Sequence, residues 1–174
     1  MITIRPEKSE DFNTIYEINK KAFNGEVEAR LIDKIRQSDN FVPELSLVAL
    51  KDDKIVGHIL FSRVKIKIEG AEKLILALAP IAVLPELQKK GIGSLLVKKG
   101  LQTCKGFDYD IIVVIGHPEF FPRFGFTPAR KRGLEVSFGV EIPSEAFMVC
   151  ELKKNALKDI RGIVEFPSYF EDES

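Results

Sequence analysis

The spacing of apolar positions changes period along this chain, and each change marks an element. Residues 2–5 alternate and predict a short first strand, which Pro6 ends. Ser9 as N-cap, with Glu10 and Asp11 in the first turn, opens a helix with Phe12, Ile15, Tyr16, Ala22 and Phe23 on its apolar face. Asn24-Gly25 breaks that helix, and Val27, Leu31 and Ile35 predict a second, short one ending near Ser38-Asp39-Asn40. The β-rich runs 45–50 and 55–68 are joined by Lys51-Asp52-Asp53-Lys54, a hairpin signal. Gly57 within the second run marks a bulge or a close backbone approach. Farther along, Val64, Ile66 and Ile68 alternate with Arg63, Lys65 and Lys67, so one face there is wet.

Glu69-Gly70-Ala71-Glu72 turns the chain into an apolar strand over residues 73–84, stopped by Pro85. After a polar turn the period becomes helical: Val97, Gly100, Leu101 and Cys104 share one face, and Gly106 caps. Ile111–Ile115 is continuously apolar, as a central strand buried on both faces requires. In the aromatic segment Gly116-His117-Pro118-Glu119-Phe120-Phe121-Pro122-Arg123-Phe124-Gly125-Phe126, Pro118 suits the first turn of a helix and Pro122 limits it to about one turn. Gly133 and Gly139 interrupt the next stretch, which carries no assignable period. Residues 146–152 read as a last core strand, residues 162–170 as an apolar tail packed on the domain, and the acidic 171–174 as a fraying end. Without repeats or linkers, residues 1–174 are expected to form one domain.

The turn between the long strand and its helix carries the chemistry. It reads Gln88-Lys89-Lys90-Gly91-Ile92-Gly93-Ser94. Amides at a helix start have no intrahelical acceptor, and the helix dipole adds partial positive charge there. Glycine lets an anion approach that backbone closely. The expectation is a phosphate or pyrophosphate cradle. A nucleotide P-loop needs Gly-Lys-Ser/Thr and a dinucleotide fingerprint a third glycine; Gly93-Ser94 and Leu96 fail these in turn.

Composition narrows the partners. The 174 residues are 45% hydrophobic and 30% charged, with 26 basic and 26 acidic side chains, so no bulk basic field attracts nucleic acid. Residues 1–5 lack signal-peptide form and no apolar run reaches the ~18 residues of a membrane span, so the expected location is the cytoplasm, off the membrane. Cys104 and Cys150 read as reduced core thiols, and two Cys with two His offer no metal spacing.

With the strand before it and the helix after it, Gln88-x-x-Gly91-x-Gly93 resembles the acetyl-CoA motif of the GNAT superfamily of N-acetyltransferases. The element order β-α-α-β-β-β-α-β-α-β is similar to that family through nearly the whole chain. Phe124-Gly125-Phe126 falls where the family has a Gly-Phe pair. The Gly-His-Pro segment, with Glu-Ala-Phe-Met-Val at 145–149, resembles a bacterial branch of small predicted N-acetyltransferases. The resemblance implies an α/β (α+β) fold: a mixed, mostly antiparallel sheet, helices on both faces, and a V-shaped splay between strands 4 and 5. It implies that the backbone of Ile81, Ala82 and Val83 pairs with the pantetheine arm of acetyl-CoA, that the amides of Lys89, Lys90, Gly91, Ile92, Gly93 and Ser94 hold the pyrophosphate, and that Gln88 orders the loop. A backbone N–H near Val83 would stabilise the oxyanion, and acetyl would pass directly to an amine in a ternary complex without a metal.

At one position the chain departs from the family. The Tyr commonly found four residues before the Gly of the Gly-Phe pair is here Phe121, which cannot give a proton. Phe121 is then cofactor-pocket wall, with Phe120 and Phe124, and a non-catalytic acyl-CoA sensor gains weight as the alternative to an enzyme. His117, as an imidazole after the fifth strand, and Glu28, with Glu26 nearby, in the helix lining the acceptor side, are the candidate bases. Against these stand a structural histidine fixing its turn and a solvated helix-face glutamate. His58 reads as a core or sheet-face residue. The acceptor is a small-molecule or peptide amine, and the apolar tail leaves a homodimer open.

Overall fold

The computed structural model describes residues 1–171. The strands are β1 (Ile2–Pro6), β2 (Phe41–Lys51), β3 (Lys54–Ile68), β4 (Ala71–Val83), β5 (Ile111–Ile115), β6 (Thr127–Pro128), β7 (Leu134–Ser137), β8 (Phe147–Glu151) and β9 (Gly162–Glu165). The helices are α1 (Phe12–Phe23), α2 (Val27–Gln37) and α3 (Ile92–Cys104). Strands run in the order β1-β2-β3-β4-β5-β8-β6, with β9 pairing β3 and β7. The pairs are antiparallel except β4–β5 and β7–β9. Among the described residues, no helix is long and apolar enough to cross a membrane.

Strand alternation divides the core between the two faces. On one face Ile112 and Val114 of β5 meet Leu76, Leu78 and Phe61 beneath α3. On the other, Ile111 and Val113 join Ile75, Ala77, Phe147 and Val164, continued by Ile15, Ile32, Ile35, Val48 and Leu60 under α1 and α2. Gly100 lets α3 lie close on the sheet, since a Cβ there would stand 2.4 Å from the Phe61 ring. Gly57 fulfils both expectations: Val56 is extra between the pairs Ala49↔Gly57 and Leu50↔Ile55, and a Cβ at Gly57 would meet Leu96 at 3.1 Å.

The site depends on one feature of this sheet. β4 and β5 share only the register Leu76↔Ile112 and Ala77↔Val113. Beyond it β4 follows β3 to Gly57↔Val83, while β5 follows β8 to Ile115↔Phe147, and a V-shaped gap opens between them.

Several local expectations are corrected. Ser9 does not cap α1. It begins a 3-10 turn, Ser9–Asp11, and the Asp11 carboxylate accepts the Lys8 N–H at 2.8 Å and the Arg5 guanidinium at 2.7 Å. The helix faces are rotated: α1 buries Ile15, Ile18 and Asn19, and α2 buries Ala29, Ile32 and Ile35, while Phe12, Phe23 and Val27 stay more than a third exposed. Phe12 serves instead as a platform for Arg36, 3.8 Å above its ring. Pro118 starts no helix. It lies in a turn, and the segment forms one 3-10 turn, Phe121–Phe124, with Pro122 near its start. The unassigned stretch contains β7, and the tail supplies β9 before Tyr169 and Phe170 pack against the α1–α2 cluster. Beyond Glu171, the expected fraying end lies outside the described residues.

Candidate active site

The gap between β4 and β5 continues into the turn before α3, forming one groove with two chambers. The first, of about 520 Å³, is lined by Ile81, Val83, Leu87, Gln88, Lys89, Gly91, Gly93, Ser94, Phe120 and Arg123. The second, of about 550 Å³, lies between the splayed strands and shares Ile81, Val83, Gln88 and Phe120 with the first.

The first chamber is built of main chain. The Leu95 N–H bonds Gly91 O at 3.1 Å, the first such bond of α3, and the amides of residues 89–94 have no acceptor among the described residues. Lys89 and Gly91 sit at φ 64° and 91°, a left-handed path that curls these N–H groups inward and favours glycine at the second position. The Gln88 amide donates to Val83 O at 3.0 Å and ties the turn back to β4.

β4 supplies an open edge. Leu84 N–H bonds Val56 O at 2.9 Å, and the register continues through Gly57↔Val83, His58↔Ala82 and Ile59↔Ile81. Antiparallel pairs alternate between bonded and non-bonded, so the N–H groups of Val83 and Ile81 and the Ile81 C=O face the gap, while the Val83 C=O on the same side accepts the Gln88 amide. The Ala82 backbone is spent on His58, and Ala82 reaches the second chamber only as wall. Lys90 and Ile92 line neither chamber. The Lys90 side chain is exposed and that of Ile92 is core, so each offers only its amide.

Arg123 was not anticipated. Its guanidinium lies 4.8 Å from the Phe120 ring centroid and 5.6 Å from that of Phe124, with a hydrogen bond to Phe120 O and no carboxylate partner among the described residues. A free cation beside a row of unpaired amides gives this chamber a positive field. The only sequence signal was its place in the aromatic Phe-Pro-Arg-Phe turn.

The second chamber is built of side chains. Ala22, Phe23, Glu28 and Leu31 come from α1 and α2, residues 78–83 from β4, and Val114, Ile115, Gly116, His117, Phe120 and Phe121 from β5 and the turn after it. The structure therefore brings His117, Glu28 and Phe121 together. His117 is exposed, Glu28 is half-buried, and neither has a hydrogen-bond or ion-pair partner among the described residues. Phe121 is 4% exposed and lies so close over Gly116 that a Cβ there would meet its ring at 2.6 Å.

Other reactive groups are occupied elsewhere. Glu26 accepts from the Tyr16 hydroxyl at 2.8 Å and from Arg30 at 3.3 Å. Cys104 and Cys150 are free and buried; burial pushes the Cys104 thiol up to about 12 and raises that of Cys150. His58 is fully buried, with Nε2 2.9 Å from Ser46 Oγ, and burial lowers its pKa against the pull of Glu7. Burial would raise the Glu7 carboxyl, but hydrogen bonds involving His58, Arg36 and Ser46 together outweigh it and hold it at about 2. Through Glu7 and Arg36, paired at 2.9 Å, α2 is tied to the chain just beyond β1.

A sheet splayed between β4 and β5, with unpaired amides at the start of the following helix, defines a class. Residues 3–129 match the acetyltransferase (GNAT) domain, and the chain belongs to the GNAT acetyltransferase family. It is 32% identical over 169 residues to the uncharacterised N-acetyltransferase YhbS of Escherichia coli, covering 96% of this chain and 97% of that protein. With the uncharacterised N-acetyltransferase YjhQ of Escherichia coli K12 it shares 37% identity over 118 residues, 68% of this chain; the match spans only 65% of YjhQ. Among solved structures, Escherichia coli YhbS in complex with CoA superposes with a TM-score of 0.88 at 28% identity, covering 99% of this chain and 93% of that one. A Brucella melitensis GNAT acetyltransferase in complex with acetyl-CoA gives 0.78 at 28% identity, with 98% of each chain covered.

Proposed function

We propose that this chain transfers acetyl from acetyl-CoA to a primary amine, directly and within a ternary complex. The observation that carries this reading is the continuity of two main-chain features: the open β4 edge at Ile81 and Val83 runs into the unpaired amides of residues 89–94. An amide-bearing arm fits the first as an added strand, and a diphosphate fits the second. Acetyl-CoA has both groups and supplies an activated thioester.

The residues divide the work as follows. The Val83 N–H, fixed by the sheet, donates to the oxygen that becomes negative when the amine adds. Gln88 holds the turn, and Arg123 and Lys89 neutralise phosphate charge. His117 accepts the amine proton, directly or through one water, and Glu28 faces the amine from α2. Both cysteines are buried and line neither chamber, so the transfer runs without a cysteine acyl-enzyme. Phe121 favours the other reading, an acyl-CoA-binding module without transfer, because its ring gives no proton to the departing thiolate.

Titration calorimetry with acetyl-CoA, CoA and ATP, followed by thiol release across an amine panel, tests the proposal. Acetyl-CoA and CoA are expected to bind and ATP not to, with thiol release that depends on amine. Binding without amine-dependent release would leave the sensor; no binding of either thioester or thiol would end both readings. We further propose a cytoplasmic protein of one domain, on the strength of two free buried thiols and the near-complete coverage of YhbS.

A further inference from the structure

The second chamber also carries information about the acceptor, on the reading that the cofactor arm runs along its β4 edge and the acceptor enters from its α1–α2 side. Among the described residues its charged and titratable lining is confined to Glu28 and His117. Phe23, Leu31, Leu78, Pro80, Ile115 and Phe121 make much of the remaining wall apolar. The neighbouring carboxylate, Glu26, is turned to Tyr16 and Arg30, so among the described residues Glu28 is the anion of this chamber. The cations Lys89 and Arg123 line the other chamber and not this one.

We infer that the acceptor is a monocationic amine with an apolar body, an alkylamine or arylalkylamine without a carboxylate, whose ammonium is received by Glu28. A half-buried carboxylate without a partner attracts a cation more strongly than one in open water. An α-amino acid would bring its own carboxylate beside Glu28 with no Arg or Lys in the chamber to receive it. A polyamine would leave its second ammonium against apolar wall, and a peptide would bring amides to a wall whose open backbone, at Ile81 and Val83, is taken by the cofactor arm.

The experiment is direct binding, with transfer as a second readout. Titration calorimetry measures 2-phenylethylamine, phenylalanine, 2-phenylethanol, spermidine and a lysine-containing peptide against the chain, with and without saturating CoA. 2-Phenylethylamine should bind about tenfold or more tighter than each of the others, the loss expected when one charge-assisted contact is removed or opposed. Glu28→Gln should remove that advantage while leaving CoA affinity and melting temperature unchanged. Glu28→Lys should lose the amine and gain 3-phenylpropionate. Equal or tighter binding of phenylalanine, spermidine or the peptide, failure of 2-phenylethylamine to bind in either state, or an indifferent Glu28→Gln would each overturn the inference. CoA binding throughout would still leave the acetyltransferase reading standing when the amine result fails, whereas loss of CoA binding would strike that reading and with it the acceptor role, even if the amine still bound at Glu28.

Discussion

The two ends of the groove are made of different material. The end proposed for the phosphates is built from consecutive residues, and its donors are main-chain amides whose positions follow from the turn before α3. The end proposed for the acceptor is built from side chains on α1, α2, β4, β5 and the turn after β5, brought together only by the fold. Main-chain donors recognise a ligand common to many relatives and tolerate varied side chains. A chamber made of side chains can be re-cut residue by residue. Affinity for the cosubstrate should therefore break at single backbone positions, and choice of acceptor at single side chains.

The largest effect is expected at Gly91. Its φ of 91° strains any residue with a Cβ, and Gly91→Glu adds a carboxylate beside the amides meant for an anion. Acetyl-CoA affinity should fall about a hundredfold, close to 3 kcal/mol, by titration calorimetry. Affinity kept within a few-fold would remove the cradle from this turn. At the other end, His117→Gln should lower kcat by roughly ten- to a hundredfold, with acetyl-CoA affinity unchanged. An unaltered kcat would take the proton-accepting role from His117.

The same contrast governs what the sequence discloses. The row of unpaired amides before α3 is legible because its cause is local: Gln88, Gly91 and Gly93 lie within a few positions, between a β pattern and a helical one. The central strand β5 is legible because burial on both faces leaves no polar position in Ile111–Ile115. Arg123 is not, since an arginine in an aromatic turn gives no hint that the turn folds back onto the start of α3. The helix-start assignment fails at Ser9 for a related reason. The Asp11 carboxylate turns back to Arg5 at the strand end and to the Lys8 N–H, and α1 begins without a side-chain cap. The β7–β9 pairing is hidden because each strand has four residues and their partnership spans a long loop.

Arg123 tests whether the phosphate end is purely main chain. Arg123→Ala should weaken acetyl-CoA by about tenfold at low salt and by less as ionic strength rises, since the contact is exposed and screened. A loss equal to that of Gly91→Glu would make side chains as important there as at the acceptor end.

Acid should separate the two ends. Glu7 is held at about 2 against an ordinary 4.5, so the folded state binds fewer protons than the unfolded one between these values. The stability it adds is present above pH 4.5 and is lost as pH falls toward 2. His58, lowered by burial from 6.5, acts in the same direction below that value. Because Glu7 holds Arg36 of α2, hydrogen exchange should quicken in α2 before α3 as pH falls. Glu7→Gln should flatten the acid limb of the melting curve, and simultaneous loosening of both helices would deny α2 this separate tether.

The smallest effect expected is a gain. Phe121 lines the second chamber and cannot donate, so under the proposed transfer the departing thiolate would be left to water. A thiolate is a mild base and leaves without much help, which limits what an acid can add. Phe121→Tyr should therefore raise kcat only about threefold to tenfold, well below the usual range for general acid catalysis, with acetyl-CoA affinity unchanged. The hydroxyl enters a position that is 4% exposed, and if it found no partner the melting temperature would drop by the equivalent of about 1–2 kcal/mol. A gain in kcat confined to pH values below the phenol's own titration would identify the new hydroxyl as the donor. An unchanged kcat with a lowered melting temperature would mean that thiolate departure is not what limits turnover, and that proton removal from the amine at the His117 end is.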